Sequence, residues 1–377
     1  MNKALYRQAI RLVPKQWVAL GDWTGNRPDD GMIRQLEEAL AAARARGGVL
    51  ALTDGGEITS VAFGTVRLRE KRPATPDTYF RAASISKFVT AYGVLCLAQN
   101  GLVDLERDIS EYLGEAVRNP AYPDVPITLM QLMTHRSSIR DGEYYNSHLT
   151  GDTALSEVLR AEDSFYPWRP GEKWEYSNLA AGMVGSVIGA AFSDRGEQPF
   201  EAVMQDWVFR PLKLEATYLP QRVKGTLADA WRLMPPARTP NYDAEARQHG
   251  PLPKPRAGDY LMAHGSLCVT AEGLLKVAHA ALRNPWIFEK MSVPLASFGS
   301  RDPRLQQGVG CFIYQDEEIG RPLYGHQGLA YGAVQALFFD RTGRGFALLT
   351  SAVSEEREGV MTKLNRQLCR IVFGEEP

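Results

Sequence analysis

The sequence predicts an α+β fold: an antiparallel β-sheet flanked by N- and C-terminal helices, with a mostly helical region inserted through the middle. Three observations carry this. Paired strand signals lie near both ends of the chain, an amphipathic helix lies outside each pair, and the stretch between is dominated by long apolar helical runs. Strands near both termini imply one sheet closed from the two ends of the chain. With 377 residues, 44% hydrophobic and 23% charged, the chain is long enough for a large core and too apolar to be disordered.

Residues 1–30 read as an extension of unknown role that ends in the turn-rich GDWTGNRPDD. Met32, Ile33, Leu36, Leu40 and Ala43 then fall on one stripe, which predicts a helix. Val49 to Leu52 and Ile58 to Phe63 flank Asp54-Gly55-Gly56, a hairpin signal. Phe88 to Ala98, FVTAYGVLCLA, is uncharged and apolar on every face, as in a helix buried inside a protein. Leu179 to Phe192 predicts a second apolar helix after the turn at Pro170-Gly171. Residues 235–258 hold six prolines and no period, which predicts a long surface loop. Ala333 to Phe339 and Phe346 to Val353 predict two strands joined by a turn at 340–345, and Val360, Leu364, Leu368, Ile371 and Val372 a final helix. Residues 31–372 then form one domain, with sheet from about 31–80 and 260–372 and helices over about 84–230.

A formal net charge of −1 supplies no attraction for nucleic acid or an acidic membrane. No window approaches the roughly 18 apolar residues of a membrane span. The N-terminus lacks the apolar core of a signal peptide, so a cytoplasmic location is expected. Cys96, Cys268, Cys311 and Cys369 are far apart, and the six histidines show no H-x-H or H-E-x-x-H spacing. Buried free thiols are therefore expected, with no metal and no cofactor. Nothing in the sequence sets an oligomeric state.

The chemistry begins at Ser84-Ile85-Ser86-Lys87, at the head of the uncharged helix. Residues three apart on a helix are neighbours. A lysine there loses hydration, which lowers its pKa, and a neutral amine can take a hydroxyl proton. The alternative is an N-cap serine before a solvated lysine, which the apolar run disfavours. Tyr176-Ser177-Asn178 leads directly into the second apolar helix; Ser177 or Asn178 could simply cap it. Tyr144-Tyr145-Asn146 has the same Y-x-N letters but precedes no long buried helix. Gly325-His326-Gln327-Gly328 comes just before the first C-terminal strand, where a histidine could contact substrate or sit in a bulge. Arg341-Thr342-Gly343 reads as turn chemistry.

In the order S-x-x-K, Y-x-N and H-x-G, spaced by 92 and 150 residues, the chain resembles the serine β-lactamase and penicillin-binding-protein superfamily. The branch is its class C-like serine hydrolases, which include esterases and D-amino-acid peptidases. PITLMQLMTHRSSI (126–139), RPLKLEATYL (210–219), HGSLCVTAEGLLKVA (264–278) and GHQGLAYG (325–332) extend the resemblance over about residues 31 to 372. It implies that Ser84 forms an acyl-enzyme while Lys87 and Tyr176 share the proton work, either being the formal base. It implies an oxyanion hole from the backbone N–H groups of Ser84 and Leu329, and substrate contacts from Asn178, His326 and Gly328. Many relatives carry K-T-G at the third motif, whose lysine binds a carboxylate. Here a largely neutral histidine stands in its place, and Gln327 lacks the threonine hydroxyl. A β-lactam is thereby disfavoured relative to a small-molecule ester, amide or short peptide. A β-lactamase or D,D-peptidase is the second reading, and a non-catalytic binding homologue the third. Trp168, Trp174, Tyr144, Tyr145 and the 235–258 loop are candidates to line the cleft.

Overall fold

The structure, a computed structural model, describes residues 10–149, 153–233 and 259–374. The predicted loop at 235–258 lies outside the described residues. The first hairpin forms as its turn demands: β1 (Gly47–Asp54) pairs antiparallel with β2 (Ile58–Arg67), followed by the short β3 (Arg72–Pro73). β4 (Phe80–Arg81) pairs with β5 (Cys268–Val269) in a ribbon of its own. The C-terminal part supplies β6 (Ala296–Ser297), β7 (Leu305–Gln307), β8 (Phe312–Tyr314), β9 (Leu323–Ala330), β10 (Ala333–Phe339) and β11 (Arg344–Ala352), then a small hairpin of β12 (Arg357–Glu358) and β13 (Met361–Thr362). All pairings in the main sheet are antiparallel, and its order is β3-β2-β1-β11-β10-β9-β8-β7-β6. The two ends of the chain therefore meet in mid-sheet, where β1 pairs with β11 from Gly47/Ala352 to Asp54/Arg344.

Both faces of the sheet are covered, which explains why its central strands read as nearly continuous apolar runs. Leu50, Leu52, Phe338, Phe346 and Leu348 face α1 (Asp30–Ala42) and the C-terminal helix Lys363–Phe373 through Leu36, Leu40, Leu364 and Leu368. Their alternate neighbours Val49, Ala51, Leu337, Phe339, Ala347 and Leu349 face the helical region. There α2 (Ser86–Gln99) is buried at every position from Ser86 to Leu95, so it has no solvent stripe to lose. Phe88 meets Phe339 edge-on with ring centroids 5.9 Å apart. α3 (Asn178–Ala191) packs against residues 259–263 so closely that a Cβ at Gly182 would lie 1.7 Å from the Tyr260 carbonyl oxygen. Only glycine fits there, which accounts for the Gly/Ala-rich composition of this helix.

Residues 20–25 lie along the outer edge of β2. Gly21 and Thr24 donate backbone bonds to the carbonyls of Ala62 and Ser60 at 3.1 and 3.0 Å. This blunts an edge that would otherwise offer unpaired backbone groups. The expected strands and helices lie within a few residues of their sequence bounds. Three differences stand out. The strands β6 to β8 were not expected, because pieces of two or three residues carry no period. His326 and Gly328 lie inside β9 rather than ahead of a strand. Val360 belongs to the β12–β13 hairpin, since the last helix starts at Lys363 under a Thr362 cap. Residues 340–343 do form a turn, with Thr342 Oγ1 donating to Asp340 at 2.5 Å. The four cysteines are free thiols, all buried except the half-buried Cys96. Among the described residues no helix is long and apolar enough to cross a membrane, and no group of His, Cys, Asp or Glu is placed to hold a metal.

Candidate active site

Ser84 is not the first residue of α2. It sits two residues earlier, in a 3₁₀ turn spanning Ala83–Ile85, and Ala83 before it adopts a left-handed φ of 49°. Such a conformation is costly for a residue with a Cβ and tends to persist where surrounding structure imposes it. The turn lifts the Ser84 hydroxyl off the helix axis, half-buried, while Lys87 one turn on is buried at 5% exposure. Lys87 Nζ lies 3.0 Å from Ser84 Oγ, 2.9 Å from Asn178 Oδ1 and 2.8 Å from the His264 carbonyl oxygen. Three acceptors thus surround the amine. Burial still dominates and lowers its pKa from 10.5 to about 7, against the opposing pull of the Asp141 carboxylate. The direction of this shift is the one that the buried S-x-x-K spacing predicts.

Tyr176 and Asn178 come from the start of α3. Ser177 between them is the cap, its Oγ accepting from Ala180 N at 3.0 Å. The capping reading of Y-S-N therefore holds for Ser177 alone. Capping by Ser177 leaves its two neighbours to face Lys87. The Tyr176 ring lies 5.1 Å from Lys87 Nζ, and its hydroxyl interacts with the Ser84 side chain. Burial raises the phenol pKa above 10, with the Ser84 side chain pulling the other way. Tyr144, Tyr145 and Asn146 form a separate short helix away from the cavity; Tyr144 stacks on His148 and bonds Glu157.

Asp141 is a site residue that sequence reasoning missed. Its carboxylate accepts from Ser177 Oγ at 2.8 Å and from Asn178 N, Asn178 Nδ2 and Leu179 N at 2.9 Å each. These bonds occupy the helix N-terminus, where negative charge is favoured, and turn Asn178 so that its Oδ1 faces Lys87. His135 was also missed. Its Nδ1 accepts from Ser177 N at 3.2 Å, and its ring packs on Tyr176 with centroids 4.3 Å apart. Burial, then the Lys87 charge, pushes His135 well below the usual histidine range, so it is neutral. His264 is held neutral by the same two causes. Both lie in segments whose letters match the family but whose side-chain roles need tertiary contacts to appear.

The third motif lies on β9. β8 pairs only with residues 323–325 of that strand, so His326 to Ala330 keep one open edge toward Ser84. Val334, opposite Leu329, directs its N–H and C=O to Thr350 on the far side. The Leu329/Val334 pair is consequently non-hydrogen-bonded, and the Leu329 N–H points out of the open edge. Gly328 sits against the nucleophile turn: a Cβ there would lie 2.4 Å from the Ala82 carbonyl oxygen. Its part is close approach of two backbones. Gln327 spends its amide on the β12–β13 hairpin, donating to Val360 O at 2.8 Å and accepting from Thr362 N at 3.2 Å.

His326 is buried, stacked on Phe312 at 4.0 Å, with Nδ1 2.6 Å from the Gln327 carbonyl oxygen. Burial and then the Lys87 charge lower its pKa to about 3, so it is neutral at pH 7. A cavity of about 350 Å³ joins these groups. It is lined by Ser84, Tyr176, Asn178, His326 and Leu329, with Trp174, Phe298 and Phe312 on one wall and Arg301 and Arg357 also contributing. Of the aromatic cleft candidates, Trp174 lines it and Trp168, Tyr144 and Tyr145 do not. Positive charge is missing at the third motif but not from the cavity, a correction to the sequence expectation. Arg301 pairs with Glu175 at 2.6 Å, and the Arg357 charge is felt at Tyr176.

Comparison with known proteins agrees with this architecture. The chain is 25% identical over 192 residues to the D-alanyl-D-alanine-carboxypeptidase/endopeptidase AmpH of Escherichia coli K12, covering 50% of this chain and 49% of that one. It is 27% identical over 173 residues to penicillin-binding protein 4* of Bacillus subtilis, covering 43% and 37%. The matched regions thus span half or less of these curated relatives. Among solved structures, EstCE1, described as a hydrolase with promiscuous acyltransferase activity, matches with a TM-score of 0.71 and 19% identity over 91% of this chain and 98% of that one. A D-stereospecific amidohydrolase from Streptomyces matches with a TM-score of 0.68 and 20% identity over 92% and 99%. These likenesses establish the fold. A sequence model of one family, described as beta-lactamase, matches residues 33–369, so the chain belongs to the beta-lactamase family.

Proposed function

We propose that residues 31–372 are a serine hydrolase domain that cleaves a carboxylic ester or a small amide or peptide bond through an acyl-enzyme on Ser84. The observation that carries this is Lys87 Nζ, 3.0 Å from Ser84 Oγ with a pKa of about 7. A neutral amine at that distance accepts the hydroxyl proton as the oxygen attacks the substrate carbonyl. Tyr176, whose pKa lies above 10, is scarcely ionised at pH 7. It therefore serves as a neutral relay that passes the proton on to the leaving group, and Lys87 is the base. The N–H groups of Ser84 and Leu329 receive the developing oxyanion. Water then repeats the sequence on the acyl-enzyme, with Lys87 again taking the proton.

The neutral His326 favours esters and amides without a carboxylate at the third-motif position. The amidohydrolase and the hydrolase with promiscuous acyltransferase activity among the structural relatives have the same fold, which is compatible with that range. A fluorophosphonate probe should label the folded protein at Ser84 and leave Ser84→Ala unlabelled. An unlabelled wild type would instead make the chain a non-catalytic homologue. A 4-nitrophenyl ester should turn over much faster than the β-lactam nitrocefin; the reverse order would restore the β-lactamase reading.

The pH profile is a second test. The base works deprotonated, so kcat/KM should rise with pH through an inflection near 7. The Asp141 carboxylate raises that value. Asp141→Asn should therefore move the inflection to lower pH, besides lowering the plateau as Asn178 loses its fixed orientation. A plateau loss with no shift would mean that Asp141 acts only as a helix cap.

A further inference from the structure

The ladder between β10 and β11 breaks beside the nucleophile turn. It runs in register from Phe339/Gly345 to Ala336/Leu348 and stops there. Beyond that point side chains replace the backbone bonds. Thr350 Oγ1 accepts from Val334 N at 3.1 Å and donates to Val334 O at 2.8 Å. The Gln335 side chain fills the rest of the gap like an inserted peptide unit. Its Oε1 accepts from Thr350 N at 2.6 Å, and its Nε2 donates to Thr350 O at 3.1 Å. A primary amide carries a second N–H. Here that N–H leaves the sheet and donates to the Arg81 carbonyl oxygen on β4, also at 3.1 Å. Gln335 is 2% exposed, so bulk water does not stand in for the amide.

That bond joins the two sides of the oxyanion hole. Arg81 lies three residues before Ser84. β4 is otherwise held toward β5, by the Arg81/Cys268 pair and by Ala82 N donating to Leu267 O at 2.7 Å. Among the described residues, Gln335 makes the one hydrogen bond between the main sheet and residues 80–85. Its backbone, meanwhile, is the register partner of Gly328, the neighbour of Leu329. Contact at Gly328 sets how closely β9 and the turn approach, since a Cβ there would meet Ala82 O at 2.4 Å. The Gln335 bond sets how far they separate. We propose that Gln335 is a positioning residue, which fixes the spacing of the Ser84 and Leu329 N–H groups by tying β4 to β10. The inference rests on the serine hydrolase reading and adds to it a residue that touches neither substrate nor reacting atoms. Two donors serve one oxygen only within about 2.7–3.1 Å of it. Slack between the strands therefore weakens the transition state, where the oxyanion forms, more than the bound ester.

The test is Gln335→Met, which keeps the length and most of the volume of the side chain and removes the amide. Turnover of a 4-nitrophenyl ester is measured well below Tm and expressed per folded protein, with folding followed by far-UV circular dichroism. The expected result is a fall in kcat/KM of about 10²-fold, the size of a misplacement of about 1 Å at a reacting centre. Fluorophosphonate labelling of Ser84 should slow in proportion. The pH inflection near 7 should stay in place, because no bond to Lys87 is touched. A merely structural role would move Tm alone. A folded variant that keeps kcat/KM and labelling rate within about threefold of the wild type therefore overturns the proposal. A displaced inflection overturns it too, since the effect would then run through Lys87. If Gln335→Met does not fold, Gln335→Glu is read by the same measurements, its second oxygen facing the Arg81 carbonyl in place of Nε2. If neither folds, Gln335 is a residue of folding and the proposal falls. Absence of both labelling and turnover in the wild type is the separate outcome that sinks the hydrolase reading itself.

Discussion

Lys87→Met is expected to lower kcat/KM for a 4-nitrophenyl ester by about 10³- to 10⁴-fold, the upper range for loss of a general base, while Tm stays level or rises. Methionine fills nearly the same volume in a helix that is buried all round. Two terms set the stability. The native amine makes three bonds, to Ser84, Asn178 and the His264 carbonyl, each worth about 1 kcal/mol net. Against this, holding an amine down from 10.5 to about 7 costs on the order of 4–5 kcal/mol at neutral pH. The second term is the larger. Its sign with pH follows from proton counts. Between about pH 7 and 10.5 the unfolded chain holds the Lys87 proton and the folded chain does not, so this group's contribution to stability improves as pH rises. The Tm advantage of Lys87→Met should therefore be greatest at or below pH 7 and shrink toward pH 10. Thermal scans from pH 6 to 9 read it directly. Retained turnover would assign the base to Tyr176 alone. A large fall in Tm at every pH would mean that the lysine bonds outweigh the desolvation.

The parts of the site that were legible in the sequence are those fixed by local periodicity. Ser84 and Lys87 are one helical turn apart, and the uncharged run behind them already says that the lysine is buried. Tyr176 and Asn178 flank a cap residue, a pattern that lies within three letters. Asp141, His135 and His264 were not legible, because each reaches the site from a loop or turn whose position depends on the packed helices. Asp141 matters through four bonds to α3, and no spacing rule connects residue 141 with residue 178. The sheet behaves in the same way. The long pairs β1–β2 and β10–β11 announce themselves by apolar runs and turn residues. β9, written LYGHQGLA, hides its period behind Gly325 and Gly328, so that the sequence places these residues just ahead of a strand and not within one. Those glycines are present because other backbone passes too close for a side chain. Local pattern and tertiary demand conflict at the site, as is usual where function is built in.

Gly328→Ala tests that conflict directly and should reduce kcat by about 10²- to 10³-fold, the size of losing an oxyanion-hole donor. The reason is contact and not backbone freedom. The new Cβ would lie 2.4 Å from the Ala82 carbonyl oxygen, 3.1 Å from Ala83 Cβ and 3.2 Å from Gln335 Cβ. The closest neighbour is backbone, which cannot rotate aside, so β9 and the turn carrying Ser84 must separate. Leu329 N–H is on the next residue of that strand, and the Ser84 N–H is on that turn. Moving them apart by roughly 1 Å takes one donor beyond the 2.7–3.1 Å at which both can hold a single oxygen. Overpacking of this kind costs about 1–3 kcal/mol of stability, so the variant should still fold. Lys87 is held beside Ser84 by α2 and by its bonds to Asn178 and the His264 carbonyl, none of which is on β9. The pH inflection near 7 should therefore stay in place while the plateau drops, and fluorophosphonate labelling should slow in proportion, since its phosphoryl oxygen uses the same two donors. A variant within about threefold of the wild type would remove Leu329 from the oxyanion hole and leave Ser84 to find its second donor elsewhere.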